Sequence, residues 1–250
     1  MLFTLVDPHP GHEGAYNRWY ERDHFYAGCL VGPWLFAGRR WVATSDLKDQ
    51  RPAFDQPAFG DHRVGTYLAT YWVEDGHHDD HFSWALDQVR HLHATGRMFT
   101  ERDHIHTLLY RRDWVVARDP DGVPVELALD HPFAGLLAVV VEGDHDTAAV
   151  GALTEKELPE LVAGTPVALV AGFRPVPLDA DAPVDQPAVG DLSRRSLQLW
   201  FCDRPPEAGF SPTFPALAGS IERSGVGRVV WASGFRPTIP GTDTYTDRLR

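Results

Sequence analysis

Asp55-Gln56-Pro57-Ala58-Phe59-Gly60-Asp61 reappears as Asp185-Gln186-Pro187-Ala188-Val189-Gly190-Asp191, with six of the seven positions identical and a spacing of 130 in a chain of 250 residues. Each copy follows one strand-like run and precedes another. We read the match as an internal duplication, since repeats of this kind mark one structural unit used twice.

The hydrophobic pattern on either side of the first copy gives the unit. Residues 1–7 alternate as a strand, and residues 14–31 have helical periodicity. Residues 35–43 and 66–74 alternate and carry β-formers. Residues 79–95 place Phe82, Leu86, Val89 and Leu92 at helical spacing, with Asp79 and Asp80 favouring the N-terminus. Residues 104–116 close the unit as a fourth strand, in the order βαββαβ. The second half repeats the order more loosely. Strands are expected at 135–142, 166–173, 196–202 and 228–235, a helix at 146–162, and a short or broken helix at 212–224. The expected organisation is a first module over 1–118, a linker over 119–134 built on a Pro-Asp-Gly turn, and a divergent second module over 135–250. The fold class is α+β: two tandem ferredoxin-like modules packed sheet to sheet as a dimeric α/β barrel within one chain. One copy alone would expose its sheet, whereas two can cover each other with a cavity between them.

Composition narrows the function classes. The formal charge is −12, with 23 Lys and Arg against 35 Asp and Glu, so the chain lacks the basic footprint of a nucleic-acid binder. No apolar run reaches the roughly 20 residues of a membrane span. The N-terminus has no basic region of a signal peptide, and the expected compartment is the cytoplasm. Cys29 and Cys202 sit among apolar neighbours and are expected to be packing residues. There is no P-loop, no Gly-x-Gly-x-x-Gly after a strand and no Gly-x-Ser-x-Gly elbow, which disfavours nucleotide-dependent chemistry and serine hydrolysis.

Residues 14–75 resemble EthD-like members of the dimeric α/β barrel superfamily. The likeness rests on Asn17-Arg18-Trp19-Tyr20, Asp23-His24, the segment Gly32 to Trp41, and Tyr67-Leu68-Ala69-Thr70-Tyr71 followed by Glu74-Asp75. Gly32-Pro33-Trp34 stands where that pattern has a Pro-Gly-Phe-like turn. The resemblance implies a small-molecule protein of a superfamily that includes polyketide cyclases, dehydratases, lactone isomerases, cofactor-free monooxygenases and haem proteins.

His24 is the first catalytic candidate: the resemblance implies that it faces a cavity, and imidazole is the natural general acid and base near neutral pH. Helical spacing puts Tyr16, Trp19, Tyr20, Ala27 and Leu30 on one stripe, with Asp23 inside it and His24 at its edge. Arg39 or Arg40 is the expected partner of Asp23. The competing reading gives His24 a pocket-capping role and Asp23 a structural ion pair. His104 and His106 alternate with Leu108 and Tyr110 on one strand face; His106 is expected toward the cavity and His104 toward solvent. The catalytic candidates are thus His24, His106, Arg40 and Tyr67, and the substrate-binding candidates Trp19, Arg39, Trp41, Tyr71, Trp72 and His104. The run His77-His78-Asp79-Asp80-His81 has ligand-like spacing but lies at a strand-to-helix turn without any full metal motif, so no metal is expected.

Of 13 histidines, all but His145 precede residue 132, which points the chemistry to the first module. Gly172-Phe173-Arg174-Pro175 recurs as Gly234-Phe235-Arg236-Pro237. With the two strands taken as parallel, the two Arg would meet at one edge, as an anion grip or as strand terminators. The expected function is cofactor-independent proton-transfer chemistry (cyclisation, dehydration or isomerisation) on an aromatic or polyketide-like metabolite, by a monomer or weak homodimer. The alternatives are a cofactor-free monooxygenase and a non-catalytic metabolite or haem binder.

Overall fold

A computed structural model describes residues 1–177 and 191–250. The first half gives β1 (Leu2–Pro8), α1 (Glu13–Trp19) continued by a π-helical segment (Tyr20–Leu30), β2 (Leu35–Val42), a short α2 (Ser45–Lys48), β3 (Tyr67–Val73), α3 (His78–Ala94) and β4 (Arg102–Ala117). The second half gives β5 (Gly135–Glu142), α4 (Thr147–Ala152), α5 (Leu158–Ala163), β6 (Val167–Val176), β7 (Arg195–Cys202), α6 (Pro206–Ser224) and β8 (Arg228–Pro237).

The strands close into one barrel in the order β1-β3-β2-β8-β5-β7-β6-β4, antiparallel throughout. Each half supplies four strands in the same ferredoxin-like order, so the fold is a dimeric α/β barrel made by one chain. The two seams differ. The β4–β6 seam runs from Leu109↔Val176 to Ala117↔Leu169, whereas β2 and β8 pair only at Trp41↔Pro237 and Val42↔Arg236. The 49–66 loop covers the rest of the β8 edge. The Ala58 N–H donates to the Val230 carbonyl at 3.0 Å. The buried Arg51 guanidinium donates to Ser233 Oγ and to the carbonyls of His62, Val64 and Gly65. The first copy of the repeated heptapeptide is therefore wall material, and the second, except for Asp191, lies outside the described residues.

Closure fills the space between the sheets. Phe3, Leu5, Trp41 and Trp72 from the first half meet Phe173, Phe201, Trp231 and Phe235 from the second. Each such side chain contributes about 1.5–3 kcal/mol when fully buried. The expected cavity between the two sheets is thus a packed core. The outer faces carry the helices in two separate layers, around Tyr16, Tyr20 and Tyr71 in the first half and around Trp200, Leu217 and Ile221 in the second.

Two local expectations need correcting. Residues 212–224 are not a short or broken helix but the end of a helix that starts at Pro206, a residue suited to a first helical position. The two Gly-Phe-Arg-Pro runs do not meet. In this strand order β6 and β8 are antiparallel and lie on opposite edges of the second sheet, so Arg174 sits opposite Arg111 at one seam and Arg236 opposite Val42 at the other.

Candidate functional site

A cavity of about 160 Å³ lies between the first sheet and its helices, lined wholly by residues between Leu2 and Leu109. Its floor is the outer face of β1 and β4 (Leu2, Thr4, Val6, Thr107, Leu109). Its roof is α1, the π-helical segment and α3. The lining is mostly apolar, interrupted by His24, His81, Arg102 and His104. Three more open clefts of 420–470 Å³ lie elsewhere. One of them borders Phe36 and Trp72, but its rim is the charged set Glu74, Asp75, Arg111, Arg112 and Glu126. The cavity between the first sheet and its helices takes nothing from residues 36–42 or 67–73, the strands that carry the candidates Arg39, Arg40, Trp41, Tyr67, Tyr71 and Trp72.

The π-helical segment positions His24. An α-helix bonds each N–H four residues back, and a π-turn adds one residue per turn, a device frequent at functional sites. The added residue shifts the phase beyond Tyr20. Gly28 and Cys29 become buried, while Ala27 and Leu30 are only half-buried. His24 stacks on Trp19 with ring centres 4.5 Å apart and meets Tyr20 edge-on at 5.2 Å. The Trp19 indole is itself held by its N–H, which donates to the Arg97 carbonyl at 2.7 Å. Gly28 makes the space for the imidazole, because a Cβ there would lie 2.5 Å from His24 Cε1 and Nδ1. Gly28→Ala should therefore displace the ring and cost about 1–3 kcal/mol of stability, the usual cost of overpacking. Ring-proton shifts of His24 recorded together with a denaturation curve check this; an unmoved ring would refute it.

The cavity holds its histidines neutral. Burial, aided by the nearby Arg102 and His104, pushes His24 down to about 3, and its Nδ1 is buried without a partner. Burial first and Arg102 second lower His104 to about 4, and burial lowers His81 to about 4. His104 Nδ1 lies 3.0 Å from Thr107 Oγ1, and Arg102 Nε donates toward His104 Nε2 at 3.4 Å. The Arg102 guanidinium lies over the Trp19 ring at 4.9 Å.

His104 and His106 do not share a face. The pairing of β1 with β4 steps from Leu5↔His106 to Val6↔His104, so Ile105 is an extra residue in a β-bulge. His104 faces the helix-side cavity rather than solvent. His106 points into the barrel, 2% exposed, with Nε2 2.6 Å from the Tyr110 hydroxyl and its ring 4.8 Å from Phe59. Burial takes His106 to about 3.

The other candidates are dispersed. Trp41 and Trp72 are barrel core, with Trp41 Nε1 donating to Thr70 Oγ1 and Trp72 stacked on Phe173. Tyr67 and Tyr71 lie under the helices; Tyr71 shares a 2.9 Å hydrogen bond with Tyr20, and the Tyr67 hydroxyl is buried without a partner. Arg40 is buried over the Tyr20 and Tyr67 rings, pairs with Glu21 at 3.1 Å and donates to Asn17 Oδ1 at 2.9 Å. Arg39 donates to the His131 and Phe133 carbonyls and so holds the segment between β4 and β5. Neither pairs with Asp23, whose partner is Arg97. His77 stacks on Trp34 at 3.8 Å and bonds Asp80. Among the described residues no group of three or more His, Cys, Asp or Glu is placed to hold a metal, and no helix is long and apolar enough to cross a membrane.

Four histidines held neutral make the fold acid-sensitive. Their pKa values in the fold lie below the ordinary value near 6.5, so the unfolded chain binds more protons as pH falls. His24, His81, His104 and His106 therefore contribute stability that is complete above about pH 6.5 and is lost progressively down toward pH 3–4. His9, raised by its bonds to Asp103 and Glu101, acts in the opposite sense. The urea midpoint should already fall between pH 7.5 and 5, before most carboxylates titrate; a flat midpoint over that range would contradict the assignment.

No family model and no curated protein matches the chain. Solved structures do. An anthrone oxidase-like protein aligns over 97% of this chain and 93% of its own at 10% identity, with a TM-score of 0.51. A candidate chlorite dismutase aligns over 100% of this chain and 98% of its own at 10% identity, with a TM-score of 0.52. At this identity the likeness establishes the fold alone.

Proposed function

We propose that the chain is a cofactor-independent enzyme that moves a proton on a small aromatic metabolite, with His24 as general base and acid. The observation that carries this reading is the His24 imidazole, stacked on Trp19, bordering a mostly apolar pocket. The neutral ring is the form that accepts a proton, and because burial holds its basicity low, the negative charge that develops on the substrate must offset the neighbouring cations as the proton moves. Burial and the adjacent cations then disfavour the imidazolium, which drives the proton on to a second atom of the substrate. Return to another carbon is isomerisation; delivery to a departing hydroxyl is dehydration; protonation after ring closure completes a cyclisation. A cavity near 150 Å³ lined by apolar side chains holds benzene, so the substrate class is a single ring rather than a fused polyketide. The EthD-like resemblance of residues 14–75 supports the same class.

In this reading Trp19, His24 and His104 form the site because they border the cavity. Arg40, Tyr67 and Tyr71 support the segment that carries His24. Trp41, Trp72 and His106 belong to the barrel, and Arg39 to the linker. The experiment is enzyme-dependent hydrogen–deuterium exchange at the acidic carbon of one-ring ketones in D₂O, followed by NMR. Exchange above the buffer rate that disappears in His24→Gln is expected. Absence of exchange in every ketone shown to bind would remove the proposal. An oxygen electrode separates the monooxygenase variant, in which dioxygen meets the same carbanion. Because barrel closure removes free sheet edges, sedimentation should give a monomer or a weak homodimer; a tight dimer would contradict this.

A further inference from the structure

We infer that the ligand of the cavity carries an anionic oxygen on its ring, as a carboxylate or phenolate, and that Arg102 binds it. This rests on the reading of the cavity as the substrate site.

The inference comes from how this chain treats its guanidinium groups. The buried ones have oxygen partners, even where one nitrogen, such as Arg40 Nη2, is left over. Arg40 has Glu21 and Asn17, Arg51 has three carbonyls and a hydroxyl, Arg39 has linker carbonyls, and Arg236 has Asp46. Arg102 differs. It borders the cavity, and among the described residues its one side-chain hydrogen bond is the long 3.4 Å contact from Nε to an imidazole nitrogen. No carboxylate of the described residues lies within ion-pair distance of it: its neighbours Glu101 and Asp103 are turned to His9 and Asp23 to Arg97. Guanidinium stays charged at any physiological pH and presents a planar fork matched to two oxygens.

The surroundings fix how the fork is offered. With His104 Nδ1–H donating to Thr107 Oγ1, Nε2 is the acceptor for Arg102 Nε, which leaves the two terminal nitrogens for a ligand. Trp19 supports the guanidinium through its ring and stacks on His24 through the same indole. One aromatic plate therefore positions the anion-binding group and the base. The apolar lining from Leu2, Val6, Phe82 and Leu109 suits the ring of the ligand. A bound anion would also offset the Arg102 charge that opposes protonation of His24, so occupancy makes the base stronger.

Benzoate, benzyl alcohol and 4-nitrophenol are the probes. Benzoate should bind wild-type protein about 10-fold to 100-fold more tightly than benzyl alcohol, the range for hydrogen bonds to a charged group. The visible absorbance of bound 4-nitrophenol should show its ionisation shifted to lower pH than in free solution. Arg102→Met should abolish the preference for benzoate and reverse the shift, since the remaining cavity is apolar, while Arg102→Lys keeps a preference for the anion. Equal affinity for benzoate and benzyl alcohol, or an ionisation shifted upward in wild type, overturns the inference and leaves the cavity as a site for neutral rings. A preference that survives in folded Arg102→Met also overturns it. If none of the three probes binds, the reading of the cavity as a ligand site falls with it. The wild-type shift decides even if Arg102→Met fails to fold.

Discussion

His24→Ala should lower turnover by about 10²–10⁴-fold, the usual contribution of a general acid or base, while leaving most of the melting temperature intact. The ring is an edge contributor to packing: it is only half-buried, its Nδ1 has no partner to lose, and Trp19 retains its other stack on Phe99 and its bond to Arg97. His24→Gln should not restore turnover, because an amide can hydrogen-bond but cannot exchange a proton near neutral pH. The capping reading predicts the opposite pair of results, namely a lower melting temperature with turnover per folded molecule preserved. Measuring both quantities on one preparation of His24→Ala separates the readings.

Arg40→Met should cost about 3–5 kcal/mol of stability, the usual consequence of removing one member of a buried ion pair. The change strands the Glu21 carboxylate, which is 12% exposed, and removes the donor to Asn17. Asn17 in turn donates to the Thr242 carbonyl, and Glu21 accepts from the Gly241 N–H, so the loss extends to the C-terminal segment. Adding Glu21→Gln should recover part of the loss, as the stranded charge is then gone. Denaturant curves of the single and double variants test this. A stable Arg40→Met with defective turnover would instead return Arg40 to the chemistry.

The strands were nearly all legible because alternation is a local signal. Seven of the barrel's eight strands begin within one residue of where the pattern places them, and β5 coincides with it. The eighth begins two residues early, at Arg102, and that small difference matters most for the site. Starting β4 at His104 leaves Arg102 outside the strand, although its parity with His104 was the signal that could have found it. The bulge at Ile105 had no such signal. A bulge depends on how β1 and β4 meet, and it reversed the face of His104, while His106 stayed with Leu108 and Tyr110. The π-helical segment likewise kept the helix assignment but moved its buried face.

By itself the sequence determined the duplication, the α+β class, the order of elements and the concentration of histidines in the first half, since each follows from periodicity or composition along the chain. Only the tertiary structure decided that the space between the sheets is solid and that the cavity lies beneath the first module's helices. It also decided that Arg39 and Arg40 are consumed by the linker and by Glu21 while Arg102 is left to the cavity. The physical reason is that these outcomes depend on which groups meet across long separations. Barrel closure brings Trp41 to Phe201, and the C-terminal segment folds back so that Asp243 pairs with Arg18 and Arg250 with Glu13. A buried charge takes whichever partner that packing supplies.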